Sequence, residues 1–189
     1  YISWDKKKLV NLEFSLNHEV LRSNAAGAFL ATTVVGCNTR KYHGLLVVPQ
    51  PQLDTNNHVL LASLDETVIE NKEEFHLGVH MYPGGVFAPR GHKYLRDFTA
   101  DPMPKMTYRI GSVVLNKELI FSSSEARVFV RYTLEDAAAT VTLRVLPFLA
   151  FRNVHILTHE NHDASRKVEL VKNGASWQLY KDYSHLFIQ

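Results

Sequence analysis

The sequence predicts a mostly β fold, an antiparallel β-sandwich with long irregular loops and few or no helices. Three observations support this fold class. Apolar and polar residues alternate with a period of two through much of the second half, as in strands that bury one face. The dipeptide Asn173-Gly174 accepts the positive φ angles of a tight hairpin turn. No segment combines a long amphipathic helical pattern with capping residues.

Four early segments are rich in β-branched or aromatic residues and are bounded by Gly, Pro or Asn, as strands are. They are residues 29–35, 44–48, 59–64 and 113–121. Two later segments alternate most regularly. The first places Val128, Val130, Tyr132 and Leu134 on one face, and the second does the same with Val141, Leu143 and Val145. Residues 135–139 between them predict a hairpin connection. A last hairpin is predicted from 168–172 and 176–180 around Asn173-Gly174.

Residues 82–104 predict a mostly irregular loop. Pro and Gly occur there repeatedly, at 83–85, 89–91 and 102–104. Both residue types interrupt regular structure. Long ordered loops on a β scaffold are where binding residues tend to lie.

Length and composition exclude several classes of protein. A chain of 189 residues with 46% hydrophobic residues can bury one sizeable core, so residues 1–189 are predicted to form one domain. A net charge of +2 lacks the basic excess of a nucleic-acid partner, and no apolar stretch is long enough to span a bilayer. The single cysteine, Cys37, excludes a disulfide framework and favours a cytoplasmic location. We expect Cys37 to be a small buried thiol, and the run Lys6 to Lys8 to be a solvated turn or frayed end.

The most concentrated polar cluster spans residues 38–44. Arg40, Tyr42 and His43 offer a guanidinium, a phenol and an imidazole, groups that hydrogen-bond sugar hydroxyls or stack on a sugar ring. Alternatively the cluster is a turn between strands, in which Asn38 caps the backbone and Gly44 supplies an unusual dihedral angle. Composition alone favours the turn.

Histidines are candidates for metal binding, and carboxylates are candidates for catalysis. His155, His159 and His162 would share one face of a helix and could hold zinc, but the segment lacks a helix-start signal, so no metal or cofactor is predicted. Glycoside hydrolysis usually needs two carboxylates beside one bond. Asp65, Glu66 and Glu160 are the candidates, but adjacent Asp65 and Glu66 in a strand would point to opposite faces. No catalytic pair is predicted.

The nonapeptide from Asn38 to Leu46 resembles a block of the bacterial and archaeal type of glycogen debranching enzyme, the amylo-α-1,6-glucosidase family, in its N-terminal domain. Further blocks extend the resemblance in the same order over most of the chain. They lie at 61–67, 82–86, 94–98, 101–104, 146–148, 151–155 and 160–161, with Tyr108 between the fourth and fifth. Four positions depart from the family pattern. Ala25 and Ala28 stand where glycines are expected, Asn153 where aspartate is, and His159 where arginine is.

The resemblance implies that this chain is a β supersandwich, an N-terminal fragment of a larger enzyme whose catalytic (α/α)6 barrel is absent. The parent enzyme would hydrolyse α-1,6-glucosidic branch linkages, with or without a glucanotransferase activity. The implied partners are an α-glucan, such as glycogen or a starch-like polysaccharide, and the enzyme's own C-terminal barrel, with no nucleic acid, membrane or cofactor. No catalytic residue is expected in this fragment. The predicted substrate-binding residues are Arg40, Tyr42, His43, Arg96 and Asp97, each of which could instead pack on the barrel.

Two other classes of function are weighed beside this one. A freestanding carbohydrate-binding module would need exposed aromatics, for which Trp4, Trp177 and Tyr180 are the candidates. A purely structural interaction domain would have no affinity for sugar. The last segment, 185–189, is predicted to be a strand without a partner, and such an edge would favour self-association between copies.

Overall fold

A computed structural model describes residues 2–189, and strands account for 51% of the structure against 7% for helices, which confirms the mostly β prediction. Two short helices, α1 (Lys6–Leu9) and α2 (Leu12–Leu16), and one 3-10 helix, Gly91–Tyr94, accompany the strands. Within these residues the strands are β1 (Ser3–Asp5), β2 (Glu19–Ser23), β3 (Phe29–Thr33), β4 (Gly44–Pro49), β5 (Asn57–Glu70), β6 (Glu73–His76), β7 (His80–Tyr82), β8 (Val86–Ala88), β9 (Leu95–Thr99), β10 (Lys105–Ile110), β11 (Val113–Phe121), β12 (Val128–Asp136), β13 (Val141–Asn153), β14 (Val168–Val171), β15 (Gly174–Trp177) and β16 (Leu186–Ile188).

Two large antiparallel sheets form the sandwich. The first has the strand order β1-β9-β10-β11-β12, and the second has β13-β5-β4-β3-β2 with β6 paired to β5. Their inner faces share one apolar core, to which Phe98 and Met106 contribute from the first sheet and Leu30 and Val68 from the second. A three-stranded sheet, β14-β15-β16, and the β7-β8 hairpin complete the fold. The predicted sandwich architecture is therefore confirmed.

The four early strand predictions correspond to β3, β4, β5 and β11, and the alternating segments to β12 and β13. The predicted hairpin at residues 135–139 is wrong. β12 pairs with β11 in the first sheet, whereas β13 pairs with β5 in the second. The connection therefore crosses from one sheet to the other. Alternation shows which residues face a core, but it does not show which neighbour a strand pairs with.

The prediction of a mostly irregular loop at 82–104 is also wrong in part. Gly84 and Gly85, both with positive φ, form the tip of the β7-β8 hairpin. Residues 91–94 form the 3-10 helix, and β9 lies inside the first sheet between β1 and β10. The Pro and Gly residues mark turns between short elements here. Because they occur so often, the five-residue strand β9 could not be recognised from the sequence.

The hairpin near Asn173-Gly174 exists, but its two turn residues are Lys172 and Asn173, because Val171 pairs with Gly174. A type I′ turn needs a positive φ at both turn residues. Of these two, only Asn173 has one, so the predicted type I′ turn is wrong. Gly174 serves a different purpose, since a Cβ atom there would lie 2.0 Å from the Ile188 carbonyl oxygen. That close approach lets β16 pair with β15, so the terminal strand has a partner within the chain, contrary to the prediction.

The lysine run near the N-terminus forms a helical turn rather than a frayed end. Asp5 caps α1 by accepting hydrogen bonds from the amides of Lys7 and Lys8. Leu9 at its end is fully buried. No helix within residues 2–189 has the length and apolar character needed to cross a bilayer.

Candidate functional site

The loop 38–43 is the second part of the connection from β3 to β4, and Asn38 ties it to the neighbouring strands. Asn38 Oδ1 accepts a hydrogen bond from Thr32 Oγ1 at 3.0 Å, and Asn38 Nδ2 donates to the carbonyl oxygen of Ala62 at 2.8 Å. A Cβ atom at Gly44 would lie 2.8 Å from Val59 Cγ1, and Gly44 does not have a positive φ. Glycine is required there for close packing, so the expectation of an unusual dihedral angle was wrong.

His43 is the buried part of this loop, with 2% of its surface exposed. Its Nδ1 accepts a hydrogen bond from the Thr39 amide at 3.1 Å. Its Nε2 lies 3.2 Å from Glu19 Oε1 but lacks the geometry of a hydrogen bond. Burial lowers the pKa of His43 and outweighs the nearby Glu19 carboxylate, so the imidazole is neutral near pH 7.

Arg40 and Tyr42 are the exposed parts of the loop. Arg40 Nε forms an ion pair with Glu19 Oε1 at 2.7 Å, and 65% of the Arg40 side chain remains exposed. Tyr42 is 41% exposed. Its hydroxyl lies 3.2 Å from His155 Nδ1, and the two rings are nearly perpendicular with centroids 5.6 Å apart.

Lys41 completes this group. Its Nζ donates to the carbonyl oxygen of His155 at 3.3 Å and lies 5.4 Å from the centroid of the Tyr42 ring. We call Lys41, Tyr42 and His155 the Tyr42 surface. It joins two segments of the resemblance, 38–46 and 151–155, which are more than a hundred residues apart. Sequence reasoning identified both segments but did not predict that they meet.

A set of polar residues that sequence reasoning missed lies behind His155. Asn153 Oδ1 accepts a hydrogen bond from the His155 amide, and Asn153 Nδ2 donates to Asp54 Oδ2. Asp54 Oδ1 is bonded to His58 Nε2, and His58 Nδ1 to the Tyr183 hydroxyl. The hydrogen bond from His58, followed by that from the Asn56 amide, lowers the pKa of Asp54 to about 2. Asp54, His58 and Tyr183 lie outside every recognised block, so no local signal marked them.

Arg96 and Asp97 occupy a different place, on the outer side of the first sheet. Arg96 Nε forms an ion pair with Asp97 Oδ2. Both line a cleft of about 380 Å³ whose other polar walls include Thr99, Lys105 and Glu118. Within residues 2–189, no hydrogen bond or ion pair connects this cleft to the Tyr42 surface. The contact of Arg40, Tyr42, His43, Arg96 and Asp97 with sugar stays a prediction.

The candidate carboxylates each have their own partners. Asp65 is bonded to His80 Nε2 at 2.7 Å, whereas Glu66 Oε1 accepts from Lys117 Nζ at 2.6 Å and from the Tyr132 hydroxyl. The two side chains therefore point to opposite faces of β5, as predicted. Glu160 is exposed in an irregular segment. This arrangement brings no two of the three carboxylates to one bond.

Cys37 and the histidine segment 155–162 were the other candidates in the sequence for a reactive or metal-binding site. Cys37 is fully buried, as predicted, and burial raises the pKa of its thiol to about 11. Residues 155–162 form a turn and an irregular stretch, so the helix that would align His155, His159 and His162 does not form. Residues 2–189 contain no cluster of three metal-binding side chains.

A larger cavity than the Arg96-Asp97 cleft, of about 580 Å³, lies between β12, the second sheet and the C-terminal strand. Its walls combine apolar side chains such as Leu46 and Val128 with polar ones such as Gln50 and Arg127.

Comparison with known proteins identifies the family to which the chain is related. The family model described as glycogen debranching enzyme N terminal matches residues 18–189. No curated protein and no solved structure matched the chain.

Proposed function

The chain belongs to the glycogen debranching enzyme N-terminal family, and from this premise we propose that it is the β domain of an enzyme that hydrolyses α-1,6-glucosidic branch linkages. The reaction needs a general acid and a base that activates water. Because Asp65 and Glu66 have separate partners, we assign both catalytic roles to a C-terminal helical barrel of the same enzyme. The domain would pack on that barrel and contribute to glucan binding.

The observation that carries the binding role is the composition of the Tyr42 surface. An exposed tyrosine ring can stack on the apolar face of a glucosyl unit. Lys41 Nζ and His155 stand beside the ring and can hydrogen-bond the hydroxyl groups at its rim. His155 Nδ1 is bonded to Tyr42, which directs the remaining ring nitrogen, Nε2, toward other partners.

The other predicted residues take different parts in this proposal. Arg40 uses Nε to bind Glu19 and keeps 65% of its side chain exposed, so it can donate to a second glucosyl unit. His43 has almost no exposed surface and would act by holding the loop through the Thr39 amide. The Arg96-Asp97 cleft would be a separate glucan contact.

The aromatic residues required by a freestanding module are not free to form a platform. Trp4 packs against Phe98 with parallel rings 5.5 Å apart and against Phe14 edge to face. Trp177 and Tyr180 are both half-buried. This favours a domain that binds glucan together with its barrel over a module that binds alone.

The test is a comparison of two tyrosines in the full-length enzyme. Tyr42→Ala should raise the KM for branched dextrin about threefold to tenfold, the value of one aromatic contact, and leave Tm unchanged. Tyr82→Ala is the matched control, because Tyr82 is 50% exposed on the β7-β8 hairpin, and its KM should stay at the wild-type value. A lower Tm with an unchanged KM in Tyr42→Ala would instead assign Tyr42 to the barrel interface.

A further inference from the structure

A series of hydrogen bonds, joined through residue His155 itself, leads from the Tyr42 surface to the segment before β16. The Tyr42 hydroxyl meets His155 Nδ1, and the His155 amide donates to Asn153 Oδ1 at 2.9 Å. Asn153 Nδ2 donates to Asp54 Oδ2 at 3.0 Å. Asp54 Oδ1 lies 3.0 Å from His58 Nε2, and His58 Nδ1 lies 2.8 Å from the Tyr183 hydroxyl. We call residues 54, 58, 153 and 183 the relay.

The bonds that the Asp54 carboxylate makes in the relay have a defined direction. The Asp54 carboxylate only accepts, so His58 Nε2 carries a proton and donates to it. On its other side, His58 Nδ1 shares a hydrogen bond with the Tyr183 hydroxyl. The Asn153 amide is the one side chain that both donates to Asp54 and accepts from the His155 backbone. Its orientation is therefore fixed by the partners on its two sides.

The backbone and the packing hold the relay in place. His58 is 3% exposed. Register shifts interrupt β13 on both sides of Leu149, and buried Phe151 has a positive φ of 47° two residues before Asn153. Irregularities of this kind redirect the side chains that follow them, often beside functional sites. Tyr183 packs against Phe151 with ring centroids 5.5 Å apart.

We propose that Asp54, His58, Asn153 and Tyr183 are positioning residues that hold His155 against Tyr42 and thereby couple glucan binding to the docking of residues 182–184. Two further hydrogen bonds attach residues 182–184 to the segment after β4. They run from Gln52 Nε2 to the Asp182 carbonyl oxygen and from the Ser184 amide to Gln50 Oε1. This inference rests on the proposed function, because it assigns roles around the same glucan contact.

The carboxylate at 54 and the amide at 153 make a sharp test possible. Asn153→Asp would bring a second carboxylate to within about 3 Å of the Asp54 carboxylate. In Asp54→Asn, if Oδ1 keeps its bonds to His58 and the Asn56 amide, the new NH₂ group faces the NH₂ group of Asn153. The double variant Asp54→Asn/Asn153→Asp exchanges donor and acceptor at one bond and restores every link.

The experiment measures the position of His155 with and without sugar in the full-length enzyme labelled with ¹⁵N-histidine. Both single variants should shift the His155 imidazole resonances in the absence of glucan and raise the KM for branched dextrin about threefold to tenfold at unchanged kcat. The double variant should return both readouts to wild-type values. A purely structural role would change Tm without this pattern of restoration.

A milder pair of variants covers the case in which the carboxylate variants fail to fold. Tyr183→Phe removes one hydroxyl and keeps the ring packing, and it should shift His155 in the same direction with a smaller rise in KM. Tyr180→Phe is the matched control, because its hydroxyl contacts Asn161, outside the relay, and it should change neither readout.

The outcomes separate this inference from the proposed function. Unchanged His155 resonances in Asn153→Asp and Tyr183→Phe would overturn the relay. Resonances that shift and are restored while KM stays constant throughout would support the positioning of His155 and overturn glucan contact at the Tyr42 surface.

Discussion

Two polar clusters of similar chemistry stand in opposite surroundings. The first, which we call the inner cluster, is Glu66, Lys117 and Tyr132. Glu66 on β5 and Lys117 on β11 form an ion pair at 2.6 Å across the two sheets, with side chains 3% and 8% exposed. The Tyr42 surface also combines a cation and a phenol, but Tyr42 and His155 are exposed and Lys41 is half-buried, in the segments next to the start of β4 and the end of β13.

The comparison shows that similar residue types have different solvent access, and we propose that this difference separates a stabilising cluster from a binding one. In the inner cluster every charge has a partner, and Tyr132 remains a protonated donor because burial, followed by Glu66, raises its pKa. At the Tyr42 surface the groups keep free hydrogen-bonding capacity that water fills and a ligand can replace. We therefore expect substitutions in the inner cluster to lower stability and those at the Tyr42 surface to lower affinity.

Breaking the inner cluster should have the largest effect. Glu66→Gln removes the partner of buried Lys117 and should lower the free energy of unfolding by about 3 to 5 kcal/mol, since an unpaired charge inside a protein is costly. Urea unfolding at pH 7 measures this. The double variant Glu66→Gln/Lys117→Met is the control and should recover much of the loss. A single variant as stable as wild type would show that the pair is not sealed from water.

Substitution of His43 should have an intermediate effect. His43→Ala removes a buried ring and the acceptor of the Thr39 amide, so the free energy of unfolding should fall by about 1 to 3 kcal/mol. Arg40→Ala, on the same loop but exposed, should change it by no more than about 0.5 kcal/mol. Equal losses in the two variants, measured by urea unfolding, would contradict the assignment of the loop's inner and outer sides.

The weakest effect is expected in the pH dependence of stability, where His43 and His80 should differ in sign. Hydrogen bonding to Asp65 raises the pKa of His80 above its ordinary 6.5. Its stabilisation is therefore fully present below pH 6.5 and is lost as pH rises through the raised folded-state value. Burial lowers the pKa of His43, so the unfolded chain binds the proton first and stability falls as pH drops below 6.5.

Urea unfolding of wild type, His80→Gln and His43→Gln between pH 5 and 8.5 measures both slopes. The advantage of wild type over His80→Gln should shrink as pH rises, and its advantage over His43→Gln should shrink as pH falls. The same sign for both variants would contradict the account.

The sequence predicted the strands well because alternation is a local property. β11 was placed from Val113 to Phe121 as observed, and β12 and β13 were recognised from their alternating faces. Pairing was not predictable in the same way. The connection at 135–139 looks like a hairpin, yet β12 pairs with β11 before it and β13 pairs with β5, much earlier in the chain. β9 was hidden for another reason, since Pro and Gly dominate the residues around it.

The candidate site was predicted only in its individual segments. The block at 38–46 drew attention to Tyr42, and the block at 151–155 contained His155, but their contact depends on tertiary structure. Asn153 is the clearest example. Its departure from the expected aspartate had no explanation in the sequence, whereas the structure places it beside the Asp54 carboxylate, where an amide can donate and a second carboxylate would repel.

The most direct test of the contrast between the two clusters is the dissociation constant of branched dextrin for Tyr42→Ala and Glu66→Gln in the full-length enzyme, measured where both remain folded. The account predicts that Tyr42→Ala binds about threefold to tenfold more weakly than wild type, whereas Glu66→Gln binds with an affinity within about twofold of it. Weakened binding in Glu66→Gln together with wild-type binding in Tyr42→Ala would contradict the central claim that the exposed cluster, and not the buried one, contacts glucan.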